Sequence, residues 1–279
     1  MKTFKNIFPG ILLITGISAC DPAGDSFPPE FDEPIIDSTT FRINLISDHP
    51  LETTQILIYK DDGRKSLEAL VITEDDYIEY DGPEGGKIIV AVANSRSRLN
   101  RSALETFDSA ELLTCAYAGE NPSTPLLSAT TWMESGAEID LELTPLLCEV
   151  SISEVTNNMN GYRRLEEPVI YLKNVATTVE ILKESAFYPV ETSSDTTGLR
   201  GLMWERLPYD IGMYPQTPGT ALWFYPNSSE TTRTVLVFEC GIKGQTFRYE
   251  AALPPSNRGR KLKARLTVRE TDDFDFSVY

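Results

Sequence analysis

The chain has 279 residues, 42 acidic and 25 basic side chains, and a formal net charge of −17 at pH 7. That balance argues against nucleic acid and anionic lipid surfaces as partners, because both are held by clustered Lys and Arg. A hydrophobic fraction of 41% excludes a disordered chain, and the length allows two ordinary domains.

The first predicted element is a leader. Lys2 and Lys5 make a short positive region ahead of a mostly apolar core, Ile7 to Ile17. That core is too short to cross a bilayer as a helix, so it reads as a signal peptide. It runs into Ile17-Ser18-Ala19-Cys20. A branched apolar residue, two small residues and a cysteine form a lipobox: small side chains admit the peptidase, and the thiol accepts diacylglycerol. Residues 1–19 are expected to be removed, leaving an acylated Cys20 held in the outer membrane, facing the cell surface. The next stretch, 21–37, holds four prolines and six acids. Neither helix nor sheet tolerates that proline density, so 20–38 is predicted to be an extended tether.

Strand signals follow one another from residue 39. Phe41 to Leu45 alternates apolar and polar, and Gln55 to Tyr59 is a fuller apolar run closed by the turn Asp61-Asp62-Gly63. Leu67 to Thr73 and Tyr77 to Tyr80 come next, and a turn cluster over 81–86 leads into the buried central strand Lys87 to Asn94. Residues 102–114 are the best helix candidate, with Leu104, Phe107, Ala110 and Leu113 on one face and Ser102 with Glu105 as a capping box. Ala137 to Leu143 alternates strictly, Pro145 interrupts it, and Leu147 to Val155 resumes an extended pattern. The interruption is read as a hinge dividing 39–144 from 145–279. The second part repeats the theme at 168–172, 175–182, 220–225, 234–241, 245–253 and 261–270, with Gly241-Ile-Lys-Gly244 as a hairpin connection. Many strands and few helices predict an all-β chain of two sandwiches in tandem.

No motif predicts catalysis, a cofactor or a metal. His49 is the one histidine, in the turn-like Ser47-Asp48-His49-Pro50, and no G-x-S-x-G, phosphate loop or dinucleotide fingerprint occurs. Acid pairs such as Asp61-Asp62, Asp75-Asp76 and Asp272-Asp273 lack a calcium-loop pattern and read as solvated turns. Cys115, Cys148 and Cys240 match neither a zinc nor a CxxC spacing and read as small buried side chains, with a Cys115–Cys148 disulfide as the alternative. Trp204, Tyr209, Tyr214 and Trp223-Phe224-Tyr225 crowd one stretch. Exposed on one face they would stack sugars; buried they fill a sandwich core.

Several features in order resemble the fimbrillin-type lipoproteins of the Bacteroidales, and among them the anchor and minor subunits. They are the lipobox at Cys20, the strand ending Ala91-Val-Ala-Asn94, and the run Ile139 to Val155. Leu222-Trp-Phe-Tyr-Pro-Asn227 follows, then Thr234-Val-Leu-Val-Phe238, Arg248-Tyr-Glu-Ala-Ala-Leu-Pro254 and a basic strand Lys261 to Glu270. Ser256-Asn-Arg-Gly-Arg-Lys-Leu262 and Leu143-Thr-Pro-Leu-Leu-Cys148 depart from the family's usual wording. The resemblance implies two transthyretin-like sandwiches, no enzymatic activity, and a role in surface fimbriae and cell adhesion. It implies other fimbrial subunits as partners, joined by strand complementation. In polymerising members an Arg-specific protease removes the first strand. Here the one arginine before residue 64 is Arg42, inside the first predicted strand, which favours an anchor or minor subunit. The last segment alternates Phe274, Phe276 and Val278 with polar residues, the pattern of a donor strand or of an edge strand in its own domain. The alternative function is a surface glycan-binding lipoprotein using the 204–225 aromatics.

Overall fold

Strands dominate the computed structural model, which describes residues 38–161 and 163–279. The predicted leader, Cys20 and nearly all of the tether lie outside the described residues. Seven strands make the first half: β1 (Ser38–Ile46), β2 (Thr54–Lys60), β3 (Leu67–Thr73), β4 (Tyr77–Pro83), β5 (Lys87–Ala93), β6 (Leu127–Met133) and β7 (Glu138–Glu142). They form two sheets ordered β4-β1-β7 and β3-β2-β5-β6, with Thr144–Pro145 added beside the start of β6. The first strand is antiparallel to β4 and parallel to β7.

The second half contains β8 (Cys148–Asn157), β9 (Glu166–Lys173), β10 (Trp204–Arg206), β11 (Ala221–Phe224), β12 (Val235–Ile242), β13 (Gln245–Ala252) and β14 (Lys261–Val268). Its topology is the first half over again. Strand β8 is antiparallel to β11 and parallel to β14, and the other sheet runs β10-β9-β12-β13. A further strand outside this repeat, β15 (Phe274–Val278), lies antiparallel to β14 at the sheet edge.

Why some strands alternate and others do not follows from what covers them. In β1, Phe41, Ile43 and Leu45 point into the first sandwich while their neighbours face outward. Strands β2 and β5 carry unbroken apolar runs, Ile56 to Tyr59 and Ile88 to Ala93, because both faces are buried. Ile56, Ile58, Ile89 and Ala91 face β1. Leu57, Tyr59, Val90 and Val92 face the other way, into a larger core shared with the second half. Leu104, Ala110 and Tyr117 of the long β5–β6 connection help cover that outer face, and the Tyr59 hydroxyl donates to Leu104 O at 3.3 Å. The described residues from 38 to 279 accordingly form a single compact unit.

Lys87 opens β5 with its side chain only 2% exposed. Its Nζ lies 2.9 Å from Glu68 Oε2 on β3 and 5.4 Å from the centre of the Phe41 ring. The Tyr80 hydroxyl donates to the other Glu68 oxygen at 2.7 Å. The buried charge is therefore matched by a carboxylate, itself held by a second donor.

The expected helix over 102–114 is not one. A 3-10 turn spans Arg101–Ala103, capped by Asn100, and α1 covers Phe107–Glu111, capped by Thr106 rather than Ser102. Tertiary hydrogen bonds break the run: Leu67 N–H donates to Glu105 O, and Phe107 N–H to Lys65 O. The expected turn at 81–86 is shorter, because β4 continues to Pro83 with Gly82 opposite Thr39. Tyr80 packs over Gly82 so closely that a Cβ there would sit 2.4 Å from its ring. The run 175–182 splits into Val175–Ala176 and Thr178–Glu180, which pair with different segments, and β10 carried no readable alternation. The Gly241–Gly244 hairpin is present, with Lys243 and Gly244 at φ 51° and 77°.

Candidate functional site

The last strand is where the two halves differ. Lys263 and Tyr279 exchange backbone hydrogen bonds of 2.8 and 3.0 Å. The antiparallel alternation then turns the backbone of Ser277 and Asp275 toward β14, and that of Val278, Phe276 and Phe274 toward the free edge. Phe276 and Val278 are half-buried against the core, and Phe274 meets Tyr249 of β13 edge-on at 4.9 Å. Thus β15 closes the gap between the edges of the two sheets.

The same position in the first half, outside β7, holds no strand among the described residues. Arg42 N–H donates to Ala137 O and Leu143 N–H to Ile46 O, which leaves the backbone groups of Glu138, Asp140 and Glu142 facing outward. A groove of about 320 Å³ lies there, between β7 and Ser128–Thr131 of β6. Two buried polar atoms on its wall, Thr130 Oγ1 and Arg258 Nε, lack a hydrogen-bond partner among the described residues.

Arg258 itself joins the halves. One terminal nitrogen donates to Ile181 O and Lys183 O at 3.3 and 3.4 Å. The other donates to Ser128 O at 3.0 Å, to Ser128 Oγ at 2.9 Å, and to Thr144 O. Burial lowers its pKa to about 10, which leaves it charged at neutral pH.

A second buried polar group lies where the β5–β6 connection meets the second half. The Tyr225 hydroxyl donates to Glu120 Oε1 at 2.8 Å and lies 3.0 Å from Cys115 Sγ. The Tyr117 hydroxyl donates to Trp223 O at 2.6 Å, and the two tyrosine rings meet edge-on at 5.5 Å. Burial pushes the Glu120 pKa above the usual carboxylate range, more than the Tyr225 hydrogen bond lowers it. The folded state therefore holds this proton more tightly than the unfolded chain, so stability falls as pH rises from the ordinary glutamate value of about 4.3 through the raised one. Glu120→Gln keeps an acceptor for Tyr225 and removes the charge. Its melting temperature is expected to match the parent's near pH 4 and to exceed it at pH 8. Parallel melting curves of parent and variant across that range are the check, and a constant difference would contradict the assignment.

Cys115, Cys148 and Cys240 are free thiols. Burial is the first cause in raising each to about 12, so none is a thiolate at neutral pH. Trp204 and Trp223 are both half-buried and stand on different sheets, β10 and β11, so they do not make one platform. Tyr225 is fully buried, whereas Tyr209 and Tyr214 are exposed. His49 N–H donates to Ser47 Oγ in its turn. No group of three metal-ligating side chains comes together among the described residues. No helix among them is long and apolar enough to cross a membrane. Sequence reading missed Arg258, Glu120 and the Lys87–Glu68 pair. An arginine inside Ser256–Leu262 was visible, but its acceptors are backbone carbonyls, which leave no trace in sequence.

The fold and its edges define a class: an all-β chain of two topologically equivalent seven-strand sandwiches with one supernumerary strand. No family model matches the sequence, and no curated protein does. Solved structures do. A Bacteroides eggerthii protein named for a presumed role in cell adhesion superposes with a TM-score of 0.66, at 11% identity, over 87% of this chain and 95% of that one. The tip fimbrial protein Mfa3 from Porphyromonas gingivalis gives 0.56 at 10% identity, covering 87% and 99%. A fimbrial assembly protein from Parabacteroides distasonis gives 0.53 at 13%, covering 86% and 95%. These likenesses establish the tandem fold.

Proposed function

We propose that this chain is a fimbrillin-type structural subunit of surface fimbriae that joins its neighbours by strand complementation and serves cell adhesion. One observation carries the reading: β15 is an eighth strand outside a duplicated seven-strand pattern, and no described residue pairs at the equivalent position beside β7. A segment with the alternation of Phe274, Phe276 and Val278 fits such an edge, main-chain bonds giving affinity and alternate side chains giving register. The fold shared with a tip fimbrial protein and a fimbrial assembly protein supports the same role. No catalytic chemistry enters it.

The reading includes an anchoring or minor position in the fimbria, with lipid on Cys20 holding the chain to the outer membrane and 39–144 and 145–279 as its two sandwiches. Arg42 lies inside β1, paired on both sides and 3.0 Å from Glu79, so cleavage there would break a formed ladder. A subunit that keeps its first strand suits the base of a polymer better than its stalk.

Deleting residues 273–279 tests the mechanism. The product should remain a folded monomer melting roughly 5 °C lower, since β15 is a half-buried edge strand. Its co-purification with fimbrial subunits should be abolished. Normal co-purification would refute strand donation. Cys20→Ala tests the anchor separately: the variant should take up no labelled fatty acid and leave the membrane fraction, and unchanged labelling would refute it.

A further inference from the structure

A surface groove far in sequence from β15 has the chemistry of a ligand site. It encloses about 650 Å³, within the range of small-molecule pockets, beneath the loop that follows β5. That loop, Ser95 to Arg101, carries three arginines and no acid in a chain with 42 acids. Arg96 and Arg98 line the groove, are exposed, and make no ion pair or side-chain hydrogen bond with any described residue. Eight other arginines do pair with carboxylates.

The loop is fixed rather than loose. Gln55, buried in β2, donates from Nε2 to Ser97 O at 3.1 Å and accepts from Leu99 N–H at 2.7 Å. Asn94, at φ 60°, donates to Pro50 O and Pro125 O and accepts from Glu52 N–H. The backbone bearing the two guanidinium groups is therefore held from both ends, so little backbone ordering entropy opposes binding, and the cost that remains is that of fixing the two side chains. The remaining wall is mixed: Leu99, Leu113, Leu126 and Ile181 are apolar, and Thr114, Asn121 and Thr124 supply hydroxyl and amide groups. Glu120 is there too, but its oxygens point to Tyr225, Cys115 and Leu126 N–H. Glu52 at the rim is the other acid among the lining residues.

We propose that this groove binds an anionic glycan, with Arg96 and Arg98 gripping carboxylate or sulfate groups and the wall amides and hydroxyls meeting ring hydroxyls. Guanidinium forks match both oxyanions in a bidentate way. A glycan suits the groove better than an acidic peptide strand. Gln55 already occupies Ser97 O and Leu99 N–H, so the loop offers little backbone ladder to an added strand. The site is independent of strand complementation.

Titration calorimetry on the intact chain with three oligosaccharide probes is the test: a sulfated heparin fragment, a polygalacturonate fragment and a neutral maltooligosaccharide. At least one anionic probe should bind, weakening with salt, and the neutral one should not. The double variant R96A/R98A should bind that probe at least roughly tenfold more weakly with an unchanged melting temperature. R64A/R164A, which removes the same charge elsewhere, should bind normally. Equal loss in both variants would mean non-specific attraction and overturn the site. So would unchanged binding by R96A/R98A, tight binding of the neutral probe, or no binding of any probe at millimolar concentration. An acidic peptide displacing the glycan more tightly than the glycan binds would reassign the groove to a protein partner.

Discussion

Arg258→Ala is expected to lower the melting temperature by roughly 10 °C. The guanidinium reaches carbonyls of four residues, Ser128, Thr144, Ile181 and Lys183. Two belong to the first half and two to the second. Truncation leaves these buried acceptors short of a charged donor, at about 1.5–3 kcal/mol for each hydrogen bond to a charged group, reduced by relaxation to about 3–4 kcal/mol in all. Gly259 follows at φ 69°, and a Cβ there would meet Thr144 Cγ2 at 3.0 Å, so the loop cannot easily withdraw and refill the gap. Lysine should rescue little, since one ammonium cannot span acceptors that a fork reaches in two directions. Thermal melts of the alanine and lysine variants decide the matter. A shift under about 3 °C for alanine would mean that the halves are held by apolar contact alone.

The second large effect concerns Lys87. Lys87→Met should cost about 3–5 kcal/mol, because it strands the Glu68 carboxylate beneath Tyr80 and Phe41. The double variant K87M/E68L should recover most of that loss, since well-packed apolar residues replace a buried ion pair at little net cost. The decisive quantity is the coupling between the two substitutions in denaturant titrations. Additive losses would show that the two side chains act independently, contrary to this account. Placed at the start of a strand otherwise apolar throughout, the pair pins register: a slip of one residue would carry Lys87 to the opposite face and leave Glu68 alone.

Element existence was largely legible. Leu67–Thr73 appeared in sequence at its observed bounds, and the apolar runs of β2 and β5 announced strands covered on both sides. The 102–114 segment was misleading for a physical reason. Its apolar spacing is real, since Leu104, Ala110 and Phe107 all pack inward, but backbone bonds to Lys65 and Leu67 outcompete helical continuation. Local spacing reports which side chains are buried, not which partner satisfies the backbone.

By itself the sequence determined the all-β class, most strands, the faces of β1 and β7, the hairpin at 241–244 and the alternation of Phe274, Phe276 and Val278. All of these depend on neighbours a few residues apart, where the period of the backbone sets which side chains share a face. Only the tertiary structure decided that the second half repeats the first strand for strand, that β15 pairs at the β14 edge while no described strand stands at the equivalent β7 edge, and that Arg258, Glu120 and Lys87 have partners. Arg258 meets Ser128 across 130 residues and Tyr225 meets Glu120 across 105. Contacts at such separations are set by how sheets stack and cross, and no local pattern encodes them.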